Sequence, residues 1–522
     1  MNPHLVCMLS CLLAASCAAQ QTYFNGAPPP LPPSGPSSDQ DISLSDRQFR
    51  VVYEWRTIDF AYADEYQRGR ARQTGEFIER NALISDVKAF AKRLYVTLPR
   101  MLPGVPATLG WIIAPDNNGR TDPLIEPFPS WEMNREGDCR ALQFVQGIAI
   151  DADGLLWAVD SGRIHTLSQD RPKNTCQPKL MIFDLKRNGT LVHRYDFPEE
   201  VASRGTNYLN KIVVDDAYGG FGYITDNSGS DPGIVVFSRK LNRSWKVREP
   251  NSMRAALNAV DFAVNGTSLR FSIHIDGIAL GPYYNPNSGG DSLNINSPKF
   301  VTENYERNVY YSPLSSYHLY SIPASILRDP EFTRRSTPRQ VFESVTDYGL
   351  KISQTDGMIM DNRGILYYGL LKEHALAKWD SYQPFTPINQ HVIAKDDDFI
   401  QWVDGMSFDE DGYLYIVVNR LYNFVAGRLN PNEVNFRILR AKTGGLGYTF
   451  TNSPGVGNIG PIGFVPEGEP FGNSIGFGLS STTPFYNQLE GRDPYFNGAS
   501  SKSTFITTTG VLLTIFLSYL LR

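Results

Sequence analysis

Cysteine is scarce in this chain: there are five in 522 residues, and Cys7, Cys11 and Cys17 fall inside the first seventeen. The remaining pair, Cys139 and Cys176, makes only half of a four-ligand zinc set, and no histidine stands at ligand spacing beside either. Histidine is also rare, at seven, so few side chains titrate near neutral pH without perturbation. An excess of positive charge is missing: 49 Lys and Arg face 54 Asp and Glu, for a net charge of −5, which argues against a nucleic acid as partner. The glycine-rich stretch near the C-terminus lacks the lysine and the strand-to-helix context of a phosphate loop. Helical periodicity is confined to residues 64–73 and 323–328.

What is present begins at the ends. Residues 5–15, LVCMLSCLLAA, form a short apolar run followed by small residues, so residues 1–19 are expected to be a secretory signal rather than a buried helix. Asn188, Asn242 and Asn265 each open an Asn-x-Ser/Thr sequon, consistent with a secretory route and with glycosylation there. In an oxidising compartment two cysteines remain, and one Cys139–Cys176 disulfide is the default expectation. The chain closes with GVLLTIFLSYLLR, short of the ~20 residues that a bilayer span needs. Small residues Asn497-Gly498-Ala499, a polar spacer and then this tail form the arrangement of a GPI-anchor signal with attachment at Asn497. A retained transmembrane helix and an amphipathic end packed on the fold are the alternatives.

Two stretches read as linkers: a Pro/Ser-rich one at 20–47 and a Gly/Pro/Ser-rich one at 443–497, ahead of the hydrophobic segment 498–522. Between them, 48–442 carries a repeat. GIAIDADGLLWAVDSG (147–162), GMIMDNRGILYYGLLKE (357–373) and GMSFDEDGYLYIVVNR (405–420) share Gly, three strand residues, Asp, two turn residues, Gly, a spacer, then Leu and an aromatic. Asp151, Asp361 and Asp409 are placed to bond the turn backbone, and Gly154, Gly364 and Gly412 to take positive φ, so each copy is predicted to be a β-hairpin. KIVVDDAYGGFGYITDNSG (211–229) is a looser copy, and FSIHIDGIALGPYYN (271–285) offers another strand of the same kind. Copies separated by tens of residues with little helix between them predict four-stranded blades around an axis, an all-β β-propeller.

The segments LPRMLPGVPATLGWI, EPFPSW, LLWAVDSG, GYITD, IHIDGIALGP, VYYSPLSSYHLYSIPASILRD and TDGMIMDNRGILYYGLL occur in that order. Together they resemble the Yellow and major royal jelly protein family of insects over about residues 52–442. The resemblance implies a secreted six-bladed propeller whose relatives serve in cuticle pigmentation, eggshell hardening, dopachrome conversion or salivary binding of biogenic amines. Relatives usually carry a cysteine where Asp153 stands here and another just before the YITD strand, where DDAYGGFG has none. The resemblance therefore implies that Cys139–Cys176 is the retained bridge. The anchor signal is a second departure from relatives that are typically soluble.

Three Asp-Gly pairs, Asp276-Gly277, Asp356-Gly357 and Asp404-Gly405, open strands of separate blades, which would ring the axis with carboxylates. Such a ring suits the ammonium group of a small ligand, or Ca²⁺ through hard oxygen ligands; alternatively each Asp only caps its own strand. Asn419 matches the Asn-Arg pair that lines the amine pocket in the salivary relatives, although Leu421 stands where they tend to have an aromatic. Tyr283, Tyr284 and Tyr368 are candidate stacking partners or blade-packing residues. His274 and Asp276, two apart on one strand, are the acid/base pair expected for a dopachrome-type tautomerisation, in which one proton leaves and another returns. The expected ligand is thus a catecholamine or biogenic amine, the expected place extracellular with a lipid or helical membrane tether, and the other possibilities are a non-enzymatic binder and a matrix component.

Overall fold

The computed structural model describes residues 49–114, 121–168, 173–284 and 305–448. The expected signal, the N-terminal linker, Asn497 and the hydrophobic C-terminal segment lie outside the described residues, as does most of the stalk. Among the described residues no helix is long and apolar enough to cross a membrane.

Six four-stranded antiparallel sheets follow one another along the chain, each ordered from an inner strand outwards. The inner strands are Val87–Phe90, Val145–Ile150, Leu209–Asp215, Ile275–Tyr284, Met358–Met360 and Trp402–Phe408, in blades one to six. Blade six takes its outermost strand from the start of the chain: Arg50–Trp55 pairs with Phe436–Lys442, which locks the ring. This is the all-β, six-bladed propeller expected from the repeat. A further hairpin, Asp261–Val264 with Thr267–Arg270, is inserted between blades three and four. The helices stay short and peripheral, and Glu65–Thr74 and Ala324–Arg328 are where the sequence places them.

The repeat works through its turns. Oδ1 of Asp151 accepts from Asp153 N and Leu155 N, Asp361 does the same for Arg363 and Ile365, and Asp409 for Asp411 and Tyr413. Gly154, Gly364 and Gly412 follow at φ of 79°, 81° and 80°, where a side chain would be strained. The strands are buried on both faces because blades stack face to face; Leu156, Trp157, Tyr223, Leu366 and Ile416 are among the side chains sealed between them. Cys139 and Cys176 are bonded, tying the loop before blade two to a loop within it across 37 residues of chain. The sequon residues Asn188, Asn242 and Asn265 all sit exposed at tight turns with φ of 52°, 47° and 44°, a conformation asparagine tolerates better than most residues.

Near the axis four of the six inner strands begin with an irregularity, those of blades two, three, four and six. Register shifts fall between Val145 and Ile148, Leu209 and Ile212, Ile275 and Gly277, and Val403 and Met406. These β-bulges re-aim the first polar residue of the strand. The glycines after them are required by proximity: a Cβ on Gly357 would overlap the Asp404 carbonyl of the next blade, and one on Gly147 would overlap that of Asn210. The amides of Gly357 and Gly405 donate to Val403 O at 3.4 Å and Ser85 O at 2.9 Å, stitching neighbouring blades at the centre.

Two glycine substitutions should therefore move stability in opposite directions. Gly357→Ala should lower it by about 1–3 kcal/mol through forced backbone displacement. Gly69→Ala, in a helix with nothing within 4 Å of the added methyl, should raise it by roughly 0.5–1 kcal/mol. Thermal or urea denaturation of the two variants checks both signs.

Candidate functional site

Aligning the starts of the six inner strands gives one polar residue per blade at the axis: Asp86, Gln146, Asn210, Asp276, Asp356 and Asp404. The three aspartates expected from sequence are brought together, and three further members complete the ring. In blade three the glycine of the pattern is replaced by Lys211, whose side chain occupies the centre. Its Nζ donates to Asp404 Oδ1 across the axis and lies 3.9 Å from Asp356 Oδ1. A second ammonium, Lys88 Nζ, donates to Asp86 Oδ1 at 2.6 Å and to the carbonyls of Val87 and Met406 at 3.1 Å.

The carboxyls are held by donors from all sides. Asp276 Oδ1 accepts from Asn210 Nδ2, Asp356 Oδ2 from Trp402 Nε1 at 2.7 Å, and Asp404 Oδ2 from Asn419 Nδ2 at 3.1 Å. Four carboxyls face two ammonium groups in a buried space, so the ring cannot be fully ionised without a large cost. Burial pushes Asp276 up to about 7, with Asp404 adding to the rise and Lys211 opposing it. Burial, and then the charges of Asp404 and Asp276, raise Asp356 well above the carboxylate range. Burial raises Asp404 too, with the Lys211 ammonium and the Asn419 amide opposing the rise. Burial works against the Lys211 charge, yet Asp404 and Asp356 together hold that ammonium above its ordinary value.

Below the ring lies a cavity of about 190 Å³. Its polar end is made by Asp86, Lys88, Lys211 and Asp404; its walls are mostly apolar, with Phe90, Ile278, Leu280, Met358, Met406 and Phe408, interrupted by Asp151 and Ser407; and Gly447 and Tyr448 stand at the far end. Of the ligand-binding residues expected from sequence, Asp404 lines the cavity. Asp276 and Asp356 act on it through Lys211, and Asn419 through Asp404. Both ends of the Asn419 amide are engaged, since Nδ2 also donates to Ile84 O at 3.0 Å and Oδ1 accepts from Leu421 N at 3.0 Å. The three tyrosines do not line the cavity: Tyr283 donates to Asp215 at 2.6 Å, Tyr284 to Asn308 at 3.5 Å and Tyr368 to Gln390 at 2.9 Å.

His274 is placed away from the ring's hydrogen bonds. It precedes the strand, and the bulge at Asp276 breaks the alternation that would put the two on one side. Its Nδ1 accepts from Ala255 N at 2.8 Å, and burial, followed by the neighbouring Arg254 charge, pushes it down to about 4. The position that Ca²⁺ would take at the axis is held by the Lys211 ammonium, and among the described residues no cluster of three or more His, Cys, Asp or Glu is arranged to hold a metal ion.

Several buried polar atoms around the ring have no hydrogen-bond partner: Ser85 Oγ, Gln146 Oε1, Asn210 Oδ1 and Asn227 Oδ1. An unpaired polar atom in a buried site costs about 1–3 kcal/mol, and none of these four residues lines the cavity. Sequence reasoning missed Asp86, Lys88, Gln146, Asn210 and Lys211. Carrying the Asp-Gly register through to Gln146-Gly147 and Asn210-Lys211 would have found three of them.

The molecule is a closed six-bladed propeller with a charged ring at the head of an axial cavity. The chain belongs to the major royal jelly protein family, whose family model matches residues 143–447. Protein yellow of Drosophila madeirensis is 27% identical over 470 residues, covering 87% of this chain and 77% of the relative. Dopaminechrome tautomerase of Drosophila melanogaster is 28% identical over 412 residues, covering 76% of this chain and 82% of the relative. Among solved structures, a gluconolactonase from Xanthomonas campestris aligns with a TM-score of 0.39 at 11% identity, over 79% of this chain and 99% of its own.

Replacing Lys211 by Met should destabilise the protein by about 3–5 kcal/mol at pH 8, because the ring anions lose their central counter-charge. The sign with pH follows from Asp276, whose folded pKa near 7 lies above its ordinary value. The folded state holds a proton that the unfolded chain has lost, so this contribution is present in acid and fades as pH rises through 7. The Lys211→Met deficit should accordingly shrink between pH 8 and pH 5, as measured by urea unfolding at both.

Proposed function

We propose that this protein takes a small catecholamine-derived aminochrome or amine into the propeller channel and shifts a proton on it, a tautomerase-type isomerisation carried out outside the cell. The carrying observation is the cluster of four carboxyls and two ammonium groups at the head of the apolar cavity, with Asp276 titrating at about 7. Proton transfer is most effective when the carrier's pKa lies near the working pH. Asp404 faces the cavity and is the group that would touch the ligand nitrogen, while Asp276 and Asp356 set how easily the ring gains or loses a proton. His274, already an acceptor for Ala255 and pushed down to about 4, is the weaker of the two acid/base candidates. The relative named dopaminechrome tautomerase supports an aminochrome as substrate. The Cys139–Cys176 bridge and the exposed sequon turns support an extracellular setting, with a lipid anchor at Asn497 as the proposed tether.

A second reading, stoichiometric binding of a biogenic amine without turnover, is favoured by the carboxyls of Asp86 and Asp404 at the polar end of the cavity. An ammonium group is the donor that carboxyls hold most strongly.

The test is the loss of dopaminechrome absorbance with folded ectodomain against spontaneous decay. Asp404→Asn should slow the catalysed rate by 10²-fold or more, Asp276→Asn should flatten the pH dependence near 7, and His274→Ala should keep most of the rate. No acceleration by the folded wild type would sink the enzymatic reading. Calorimetric titration with dopamine would then decide the binding one.

A further inference from the structure

After the last strand of blade six ends at Lys442, the chain crosses the face where the hairpin turns lie. Thr443 N donates to Gly412 O of blade six at 3.2 Å. Leu446 then pairs with the turn of blade five: Asn362 N donates to Leu446 O at 2.8 Å, and Leu446 N donates to Asn362 Oδ1 at 3.1 Å. Tyr448 reaches blades three and four, where its hydroxyl accepts from Val214 N at 3.4 Å and its ring lies 5.4 Å from the Arg307 guanidinium. Blade three stands opposite blade six, so the segment spans the axis, and Gly447 and Tyr448 form the cavity's far end.

We propose that Thr443–Tyr448 is a displaceable strap and that Tyr448 is the residue that decides access to the cavity and the size of what enters. The inference relies on the proposed function only in taking the channel as the ligand's place. The opposite end offers no comparable door, because passage there would break the Lys211–Asp404 and Lys88–Asp86 pairs, whose separation leaves buried charges unpaired. The strap, though Gly445, Leu446 and Gly447 are buried, is held by no ion pair among the described residues; the charged side chain that bonds its backbone is Arg363, whose Nη2 donates to Thr443 O at 3.2 Å. It joins none of the four-stranded sheets; its one bridge is Gly447 with Asp361. Its Tyr448 contact with Val214 is long, and Arg307 keeps Asp215 at 3.1 Å and the Tyr283 ring at 4.3 Å whether or not Tyr448 is there. Gly444, at φ of 73°, is the place where the backbone can swing.

Peroxide oxidation of the cavity-lining Met358 and Met406, read by peptide mass spectrometry on the folded full-length body, tests this without any substrate. Tyr448→Gly should speed oxidation of both by tenfold or more, and Tyr448→Phe should leave it near the wild-type rate. In the wild type, hydrogen exchange at the amides of Val214, Asn362 and Leu446 should run through a local opening, faster than at the inner-strand amides of Met358 and Met406. Unchanged oxidation in Tyr448→Gly, or exchange of those amides only with global unfolding, overturns the proposal. Neither outcome bears on whether dopaminechrome is converted, so a failure of the strap and a failure of the proposed function are told apart.

Discussion

The Lys211 side chain crossing the propeller axis to Asp404 is the contact on which the centre of this protein depends. A propeller brings six strand ends to one place, and here four of them present a carboxyl. Without an interior cation those groups would repel at short range in a low-dielectric space, and the blades could approach only with every carboxyl protonated. Lys211 and Lys88 remove half of that excess. The remaining half is borne by Asp276 and Asp356 as raised pKa values. The ring is thus stable because it is incompletely ionised, and the same incompleteness leaves it able to exchange a proton near neutral pH.

The glycines follow from the same constraint. At the axis, inner strands run so close that Gly147, Gly277, Gly357 and Gly405 each abut the next blade's backbone or ring residue, leaving no room for a side chain. One glycine in the pattern is replaced by a long side chain, that of Lys211, and this is the blade whose ring residue is the neutral Asn210. The exchange of Asp-Gly for Asn-Lys therefore removes one carboxyl and adds one ammonium at a single point, a change of two charges in favour of ionic balance.

Much of this was legible in the sequence, and the limits have physical causes. The turn pattern, with Asp bonding the backbone and Gly at positive φ, is a local property, so residues 147–162, 357–373 and 405–420 reveal hairpins directly. The Asp-Gly pairs could be read as a ring because each is fixed at the start of such a hairpin. Strand alternation failed for His274 and Asp276 because a bulge lies between Ile275 and Gly277, and a one-residue irregularity reverses the side on which a residue falls. Lys211 was missed because its partner Asp404 is 193 residues away and the pair exists only when the ring closes. The cavity was out of reach for the same reason, since its walls come from all six blades and its base from Gly447 and Tyr448, beyond the last strand.

The two functional readings make opposite demands on Asp276, which is why its protonation is the property that separates them. Holding an ammonium group at Asp404 requires a negative ring, so amine binding strengthens as Asp276 ionises with pH rising through 7. Returning a proton to a substrate requires the acid, so that step weakens over the same range, while the removing step gains. A site dedicated to binding would be served best by a carboxyl with an ordinary pKa, ionised across the physiological range. Burial behind Asn210 and beside Asp404 and Asp356 instead keeps Asp276 poised between its two forms. A carboxyl so poised suits a proton-transferring ring better than retention alone, which is the ground on which the isomerase reading is proposed.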